Sequence, residues 1–304
     1  MQAALVQGIL AERGPLTGAA LHEAVGGELF GLWKLCRGSG LFDLRVVGRR
    51  YVRLDRTVEG FARLSPSLLR EFMTYTVVGL PDQAEALASA SARLERRIAR
   101  ISRNKRRSAE RFTAEVLGML VPQGLDLEHF CVLIAGDVVY GMAHDVTREE
   151  SSTGGRVDGS DLDLVVLASD DADPAWVERL DQTIKQRKWL YLRNPMVREE
   201  VDYVVKRLSR LTEQAAFDTF PHQVACKVFD EAEYLAGSAA LHETGRRVLA
   251  ERGVPERLVA LRERAIVRRA AREHWLLAQP GDTLPEQSVQ QFYTDDEAAE
   301  FEHR

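Results

Sequence analysis

The sequence has few cysteines and no long apolar run. Its three cysteines, Cys36, Cys131 and Cys226, lie about 95 residues apart, a spacing that favours neither a disulfide framework nor a clustered metal site and indicates a reducing compartment. No apolar run approaches the roughly 18 residues that a membrane span needs. The N-terminus reaches Glu12 and Arg13 too soon for a signal peptide. We therefore expect a cytoplasmic protein without membrane association.

The charge is unevenly distributed along the chain. The formal net charge is −5 over 304 residues, yet arginines are concentrated in two stretches and the last 24 residues carry seven acidic residues and one arginine. The average charge therefore does not exclude a nucleic-acid partner. The length predicts several domains. We expect an α+β fold with a small N-terminal domain of helices and strands, a central sheet domain and a C-terminal helical domain.

The first 60 residues show three short helical patterns followed by two β-type runs. The runs flank Gly48 and Arg49 and predict a hairpin. This arrangement resembles a winged helix-turn-helix domain, whose third helix and wing commonly contact DNA. The resemblance makes Lys34, Arg37, Arg49 and Arg50 candidate nucleic-acid contacts. The alternative is that this module packs against a neighbouring domain or mediates dimerisation.

Residues 61–111 are expected to form a helical connector. From Arg93 to Arg111 the connector contains nine basic residues against two acidic ones. Such a helix is typical of a surface that follows RNA or DNA. The candidate contacts are Arg96, Arg97, Arg100 and Arg103. The alternative is a solvated connector in which Leu94, Ile98 and Ile101 pack inward.

Three apolar strand patterns each bring an acidic residue or a glycine. Phe130–Ala135 runs into Gly136 and Asp137, Asp161 and Asp163 open a second strand, and Asp202 lies within a third. Because side chains alternate along a strand, Asp161 and Asp163 share a face about 7 Å apart. Mg²⁺ or Mn²⁺ would relieve the repulsion within such a carboxylate cluster. The alternative is that these are strand-entry and surface acids.

The order of these elements resembles the nucleotidyltransferase superfamily, with its polymerase-β-like fold. The likeness covers roughly residues 110–210, in an expected catalytic domain over residues 112–215, and rests on Gly136, on Ser160 to Leu164, and on Asp202. It implies that Asp161, Asp163 and Asp202 hold the metal ions, and that Gly136, Asp137 and Ser160 contact the nucleotide. Two features depart from the pattern. Asp137 stands where the superfamily has a serine, and the stretch from Gly136 to Asp161 is long. Within its part Thr147–Gly159, Gly154-Gly155 supplies flexibility for a mobile lid or a surface insertion.

The C-terminal part is predicted to be a helical domain over residues 216–280, followed by an acidic tail over residues 281–304 that is poorly ordered or serves as a partner strap. On one predicted helix, Lys227 is a candidate triphosphate contact and Tyr234 a candidate base-stacking residue. The alternatives are a solvated lysine and a core tyrosine.

Two functional hypotheses follow from these patterns. The first is an enzyme that transfers a nucleoside monophosphate from an NTP such as ATP to a hydroxyl acceptor and releases pyrophosphate, with Mg²⁺ or Mn²⁺ as cofactor. The second is a non-catalytic regulator that senses a nucleotide and binds DNA. The expected partners are the NTP and RNA or DNA, and a second copy of the chain is a further candidate.

Overall fold

The structure is a computed structural model that describes residues 3–56, 58, 60–149, 156–194, 196–285 and 289–293. These residues form helices and several small sheets, which confirms the predicted α+β class. The predicted flexible pair Gly154-Gly155 lies outside the described residues. The helices are α1 Ala3–Arg13, α2 Gly18–Val25, α3 Leu29–Gly38, α4 Leu68–Tyr75, α5 Ala84–Leu120, α6 Pro174–Arg193, α7 Leu208–Gln214, α8 Phe220–Glu231, α9 Ala239–Glu251, α10 Val254–Ala278 and α11 Val289–Phe292. The strands are β1 Leu16–Thr17, β2 Asp43–Val46, β3 Tyr51–Leu54, β4 Ala62–Ser65, β5 Thr76–Gly79, β6 Phe130–Ala135, β7 Thr147–Glu149, β8 Arg156–Asp158, β9 Leu162–Ala168, β10 Val201–Arg207 and β11 Glu233–Gly237.

The chain divides into two compact units. The first comprises residues 1–98 and 261–304, and the second comprises residues 99–260. The sequence predicted five consecutive segments, including a separate C-terminal helical domain. The observed division differs because the second half of α10 returns to the N-terminal helices, where Leu276 is fully buried in the core of the first unit.

The first unit combines α1 to α4 with a three-stranded antiparallel sheet in the order β1-β5-β2. Thr17 caps α2, because its Oγ1 accepts a hydrogen bond from the Ala20 N–H at 3.2 Å. The central strand β5 carries the buried residues Val77 and Val78. This strand, β4 and α4 lie in a segment that was predicted to be a helical connector, so that prediction is wrong for residues 61–79.

The predicted hairpin around Gly48 and Arg49 is wrong. Strand β2 pairs with β5, and β3 pairs with β4. The β2 pairing continues past the strand end, since the Val47 N–H donates to the Tyr75 carbonyl at 2.8 Å. Gly48 then turns the chain away from β2 with a φ of 81°, a conformation that glycine adopts readily. The two β-type runs therefore join different sheets.

Part of the predicted acidic tail packs into the first unit. The Phe292 side chain on α11 is buried, and its ring centroid lies 5.5 Å from that of Phe30 and 5.1 Å from that of Trp33. Burial of these aromatic rings holds α11 against α3, although the surrounding sequence is acidic. The rest of the predicted tail, residues 294–304, lies outside the described residues.

The second unit is built on a four-stranded mixed sheet in the order β10-β9-β6-β11. Strand β10 runs parallel to β9, whereas β6 runs antiparallel to both of its neighbours. Every residue of β6 is buried, as the apolar pattern predicted. The core joins this sheet to the second half of α5, through Phe112, and to α6, through Leu180.

The described residues contain no helix long and apolar enough to cross a membrane. The three cysteines are buried and form no disulfide. Burial raises the pKa of the Cys36 and Cys131 thiols to about 12 and that of Cys226 to about 11. Buried thiols of this kind behave as small core residues rather than as nucleophiles.

Candidate metal and nucleotide site

The sheet register of the second unit brings the predicted carboxylates together. Asp163 on β9 is the direct partner of Asp202 on β10 and of Ala135 at the end of β6. Directly paired residues on neighbouring strands point to the same face of a sheet. Asp161 precedes Asp163 by two residues and shares that face by alternation. The predicted trio therefore lies on one face at one end of the sheet.

Two basic side chains pair with this trio. The Arg148 Nη2 on β7 donates to Asp161 Oδ1 and, at 2.6 Å, to Glu200 Oε2. The Lys188 Nζ on α6 donates to Asp202 Oδ1 at 2.7 Å. At this end of the sheet Arg148 thus pairs with Asp161 and Glu200, and Lys188 pairs with Asp202.

Burial and the neighbouring carboxylates affect the protonation of Asp161. Burial raises the pKa of Asp161 to about 7; Arg148 opposes this shift, and the charges of Glu200, Asp163 and Asp202 add to it. About a third of the side chain is exposed. The Asp161 carboxyl is therefore at the midpoint of its titration near neutral pH, where additional positive charge would favour the ionised form.

The donor set fits a hard divalent cation. Mg²⁺ and Mn²⁺ prefer carboxylate oxygens, and a nearby cation favours the ionised form of a carboxylate whose pKa is raised by burial and by its negative neighbours. In the described residues no group of three His, Cys, Asp or Glu side chains is already arranged around a metal position. The ion pairs explain this, since the Asp161 and Asp202 carboxylates are directed at Arg148 and Lys188.

A glycine turn follows β6 beside the carboxylates. Gly136 has a φ of 71°, and a Cβ atom at this position would overlap the Asp163 carboxylate. Any other residue would therefore be strained in backbone and would displace a metal-site side chain. The Gly136 N–H donates to Glu231 Oε1 at 3.3 Å, which ties the turn to the end of α8.

Asp137 and Ser160, both predicted to contact the nucleotide, meet in one hydrogen-bond network. The Ser160 hydroxyl donates to Asp137 Oδ2 at 3.0 Å and its oxygen accepts the His144 N–H at 3.1 Å. A serine hydroxyl thus lies beside the Asp137 carboxylate, although it comes from the segment before β9.

Lys227 is also brought to the glycine turn. Its Nζ lies 2.5 Å from Glu231 Oε2 and 5.6 Å from the centroid of the Tyr140 ring, and the Tyr140 hydroxyl donates to the same Glu231 oxygen at 2.5 Å. Glu231 therefore fixes Gly136, Tyr140 and Lys227 relative to one another. The Lys227 ammonium is buried and paired, so it is not a solvated helix residue.

The predicted helical position of Tyr234 is wrong. Helix α8 ends at Glu231, and Tyr234 lies on β11, the strand that pairs with β6. Its hydroxyl donates to the Gly237 carbonyl at 2.7 Å. The segment is a strand because Gly237, with a φ of 89°, allows a backbone approach to Phe130 that a Cβ atom would block. Tyr234 therefore does not share a helix face with Lys227.

Most of the predicted nucleic-acid contacts in the first unit are engaged in internal contacts. The Lys34 ammonium donates to the Gln279 and Gly281 carbonyls. Arg37 Nε pairs with Glu273 at 2.6 Å. Arg50 donates two hydrogen bonds to Glu71, at 2.5 and 2.7 Å, and Arg49 is exposed. The α3 residues therefore contact α10 and the segment after it.

The four predicted contacts on α5 are exposed, whereas the neighbouring Lys105 is not. Lys105 Nζ pairs with Glu199 at 2.6 Å, and both side chains are nearly buried. Leu94 and Ile98 are buried and Ile101 is partly buried. The helix thus has the inward apolar residues that the connector interpretation predicts and an outward arginine face, and its contact with RNA or DNA stays a prediction. The exposed contacts are Arg96, Arg97, Arg100 and Arg103.

Sequence reasoning missed several residues that complete the site. Glu200 could have been found, because it alternates with Asp202 as Asp161 does with Asp163. The other missed residues contact the site from distant parts of the chain and carry no local signal. These are Arg148, Lys188, Tyr140 and Glu231.

The chain matches no protein-family model, no curated protein and no solved structure. The functional assignment therefore depends on the geometry of the site and on the order of its elements along the chain.

Proposed function

We propose that this protein is a metal-dependent nucleotidyltransferase that moves a nucleoside monophosphate from an NTP to a hydroxyl acceptor. The observation that supports it best is the register of β6, β9 and β10. It aligns the glycine turn with Asp163 and Asp202 in the order that the superfamily pattern requires. Acids brought together at one sheet end, at the expense of mutual repulsion, favour a functional role over a structural one.

Asp161, Asp163 and Asp202 would hold the divalent ions. When bound, Mg²⁺ or Mn²⁺ supplies positive charge that stabilises the attacking and leaving oxygens of phosphoryl transfer. In the absence of the divalent ions, Arg148 neutralises Asp161 and Lys188 neutralises Asp202. Both basic groups are then available to bind phosphate oxygens once the carboxylates turn to the ions.

The surrounding residues position the nucleotide. Gly136 keeps the backbone beside Asp163 free of a side chain, which lets a phosphate approach closely. Glu231 holds Lys227 and Tyr140 next to that turn. Lys227 supplies a cation to the triphosphate. Loss of the proton from Asp161 favours binding of a divalent ion, so metal affinity rises as the pH approaches about 7, the pKa of the metal-free Asp161 carboxyl.

The first unit supports a nucleic-acid acceptor. Its helices α1 to α3 and the β1-β5-β2 sheet support a winged-helix interpretation, in which β2 and β5 would form the wing. The exposed arginines of α5 provide the polyanion contact. Replacing Arg96, Arg97, Arg100 and Arg103 by Gln lowers the salt slope of RNA affinity by about 0.7 for each phosphate that the helix no longer neutralises. An unchanged slope in a filter-binding series would exclude this contact.

Label transfer tests the enzymatic proposal. The full chain is incubated with each α-³²P-NTP, Mg²⁺ or Mn²⁺, and RNA, protein or small-molecule acceptors. The matched variants are Asp163→Asn, which removes a site carboxylate, and Asp171→Asn, which removes an exposed carboxylate just after the same strand. We expect transfer by the wild type and by Asp171→Asn, and its loss in Asp163→Asn. Equal transfer in both variants contradicts the proposal.

Asp137 supports the second candidate function. A carboxylate at this turn repels a triphosphate more than a serine does, which suits a nucleotide sensor better than a catalyst. NTP binding without transfer to any acceptor, together with DNA binding by the full chain, would favour the non-catalytic regulator.

A further inference from the structure

The C-terminal half of α6 exposes large apolar side chains that the proposed function does not use. Trp189 is 40% exposed and its neighbour Leu190 is 57% exposed. Trp176, in the first turn of the same helix, instead packs against the core of the second unit. Tryptophan is buried to a large extent in most proteins, and apolar groups left together at a surface mark interaction sites. The exposed part of the Trp189 ring is therefore open to a partner.

Two basic side chains flank this ring on one face of the helix. Lys185, Trp189 and Arg193 follow one another at intervals of four residues, which places their side chains in a row along α6. The guanidinium carbon of Arg193 lies 5.2 Å from the centroid of the Trp189 ring, within the range of a cation–π contact. Both basic residues are exposed. We call Lys185, Trp189 and Arg193 the Trp189 face.

The charge around the Trp189 face has one sign. Between Asp181 and Glu199 the sequence has no acidic residue and five basic ones, which are Lys185, Arg187, Lys188, Arg193 and Arg198. Arg187 is paired with Glu115 at 3.8 Å. Lys185 and Arg193 present their charges at the surface, on either side of the aromatic ring. An aromatic ring between cations fits a polyanion that also offers flat apolar groups, and a nucleic acid has both.

The Trp189 face adjoins the carboxylate site of the second unit. Lys188, the residue before Trp189, donates from its Nζ to Asp202 Oδ1 at 2.7 Å. Both the helix and the carboxylates belong to the second unit. A nucleic-acid strand bound along this part of α6 therefore lies near Asp202.

The exposed indole distinguishes a single strand from a duplex. In a duplex each base is stacked between its neighbours, so a protein ring cannot reach its flat surface. An unpaired base can be turned out of the strand and stacked on an aromatic side chain. The arginines of α5, in contrast, offer charge alone, which serves single and double strands alike.

We propose that the Trp189 face binds single-stranded nucleic acid, with Trp189 stacked on a base and with Lys185 and Arg193 in contact with phosphates. The inference rests on the proposed function only for the role of this strand as the acceptor. The binding itself needs neither a metal ion nor an NTP.

Fluorescence anisotropy of labelled oligonucleotides with the full chain tests this proposal. The probes are single-stranded oligouridylate and a duplex RNA, each of about 20 nucleotides. The titrations are made in EDTA without NTP. Failure to bind then counts against the Trp189 face, whereas failure of Mn²⁺ binding or of label transfer counts against the proposed enzyme.

The chain offers a matched control for the ring. Trp189→Leu removes it, and Trp275→Leu removes a tryptophan of similar exposure, 43%, on α10. We expect Trp189→Leu to bind the single strand about tenfold more weakly and the duplex as the wild type does. Trp189→Phe, which keeps an aromatic ring, should retain part of the affinity. Trp275→Leu should bind both probes as the wild type does.

The salt dependence tests the basic residues of the face. Arg193→Gln should lower the salt slope of single-strand affinity by about 0.7, and Arg264→Gln, which removes an exposed arginine of α10, should leave it unchanged.

Three results would overturn the proposal. The first is failure of the wild type to bind the single strand, and the second is equal single-strand affinity in Trp189→Leu and Trp275→Leu. The third is an equal loss of single-strand and duplex affinity in Trp189→Leu, which would show that the ring is not stacked on a base. Binding of phosphatidylserine vesicles but of no oligonucleotide would identify a membrane surface instead, and is a case of the first result.

Discussion

Replacing Asp161 by Asn should stabilise the metal-free protein above neutral pH. The Asp161 carboxylate is partly buried among three other carboxylates, and its pKa rises from 3.8 to about 7. Asn has nearly the same shape and no charge. Arg148 keeps its second partner in the variant, because its Nη2 also donates to Glu200 at 2.6 Å. The substitution therefore removes a destabilising charge without leaving an arginine unpaired.

The size of the effect follows from proton linkage. Between pH 3.8 and about 7 the folded state retains a proton on Asp161 that the unfolded state has released. The stability that Asp161 contributes is thus complete below pH 3.8 and is lost as the pH rises through 7. The full shift corresponds to about 4 kcal/mol at 1.36 kcal/mol per pH unit. Solvent screening of a side chain that is about a third exposed reduces this to about 1–2 kcal/mol.

Thermal unfolding followed by circular dichroism measures this difference. In EDTA at about pH 8, we expect Asp161→Asn to raise the Tm by about 2–8 °C relative to the wild type, and by much less at about pH 4.5. Asp171→Asn, which replaces an exposed aspartate, should leave the Tm nearly unchanged at both pH values. A Tm lowered equally at both pH values in Asp161→Asn would show that the Arg148 pair outweighs burial, and would refute the reasoning.

Two further substitutions each have a matched control at a nearby residue. Gly136→Ala should cost about 2–4 kcal/mol in urea denaturation because of strain and overlap, whereas Gly141→Ala, with positive φ but open space, should cost about 1 kcal/mol; equal costs would contradict the close approach. Lys105→Met should cost about 3–5 kcal/mol because it leaves the buried Glu199 carboxylate without its cation. The exposed Arg103→Met should change stability by less than about 0.5 kcal/mol, and similar losses in the two would contradict this account of the Lys105 pair.

The strands of the candidate site were predictable from sequence because they carry local signals. The apolar run of β6 and the alternation at Asp161 and Asp163 each specify a strand within a few residues. The register between β9 and β10 is a tertiary property that no local pattern specifies. It makes Asp163 and Asp202 direct partners in the structure.

The failed predictions share a physical cause, which is that strand partners are chosen by long-range packing. The runs around Gly48 have the alternation of a hairpin, but β2 pairs with β5, which lies about 30 residues later in the chain. The segment containing Tyr234 has helical periodicity. It forms a strand because Gly237 allows a close backbone approach and because the edge of β6 opposite β9 offers hydrogen-bonding groups. A local pattern shows which residues of a strand face a core, but it does not show which strand becomes the hydrogen-bonded neighbour.

The central claim is that the carboxylates on β9 and β10 hold a divalent cation, and a Mn²⁺ titration followed by electron paramagnetic resonance tests it most directly. At about pH 8 we expect the wild type and Asp171→Asn to bind Mn²⁺ with equal affinity, and Asp163→Asn to bind at least about tenfold more weakly. At about pH 5.5 the wild-type affinity should fall, because Asp161 is then protonated. Failure of the wild type to bind Mn²⁺ at about pH 8, or equal binding by Asp163→Asn and Asp171→Asn, would contradict the account.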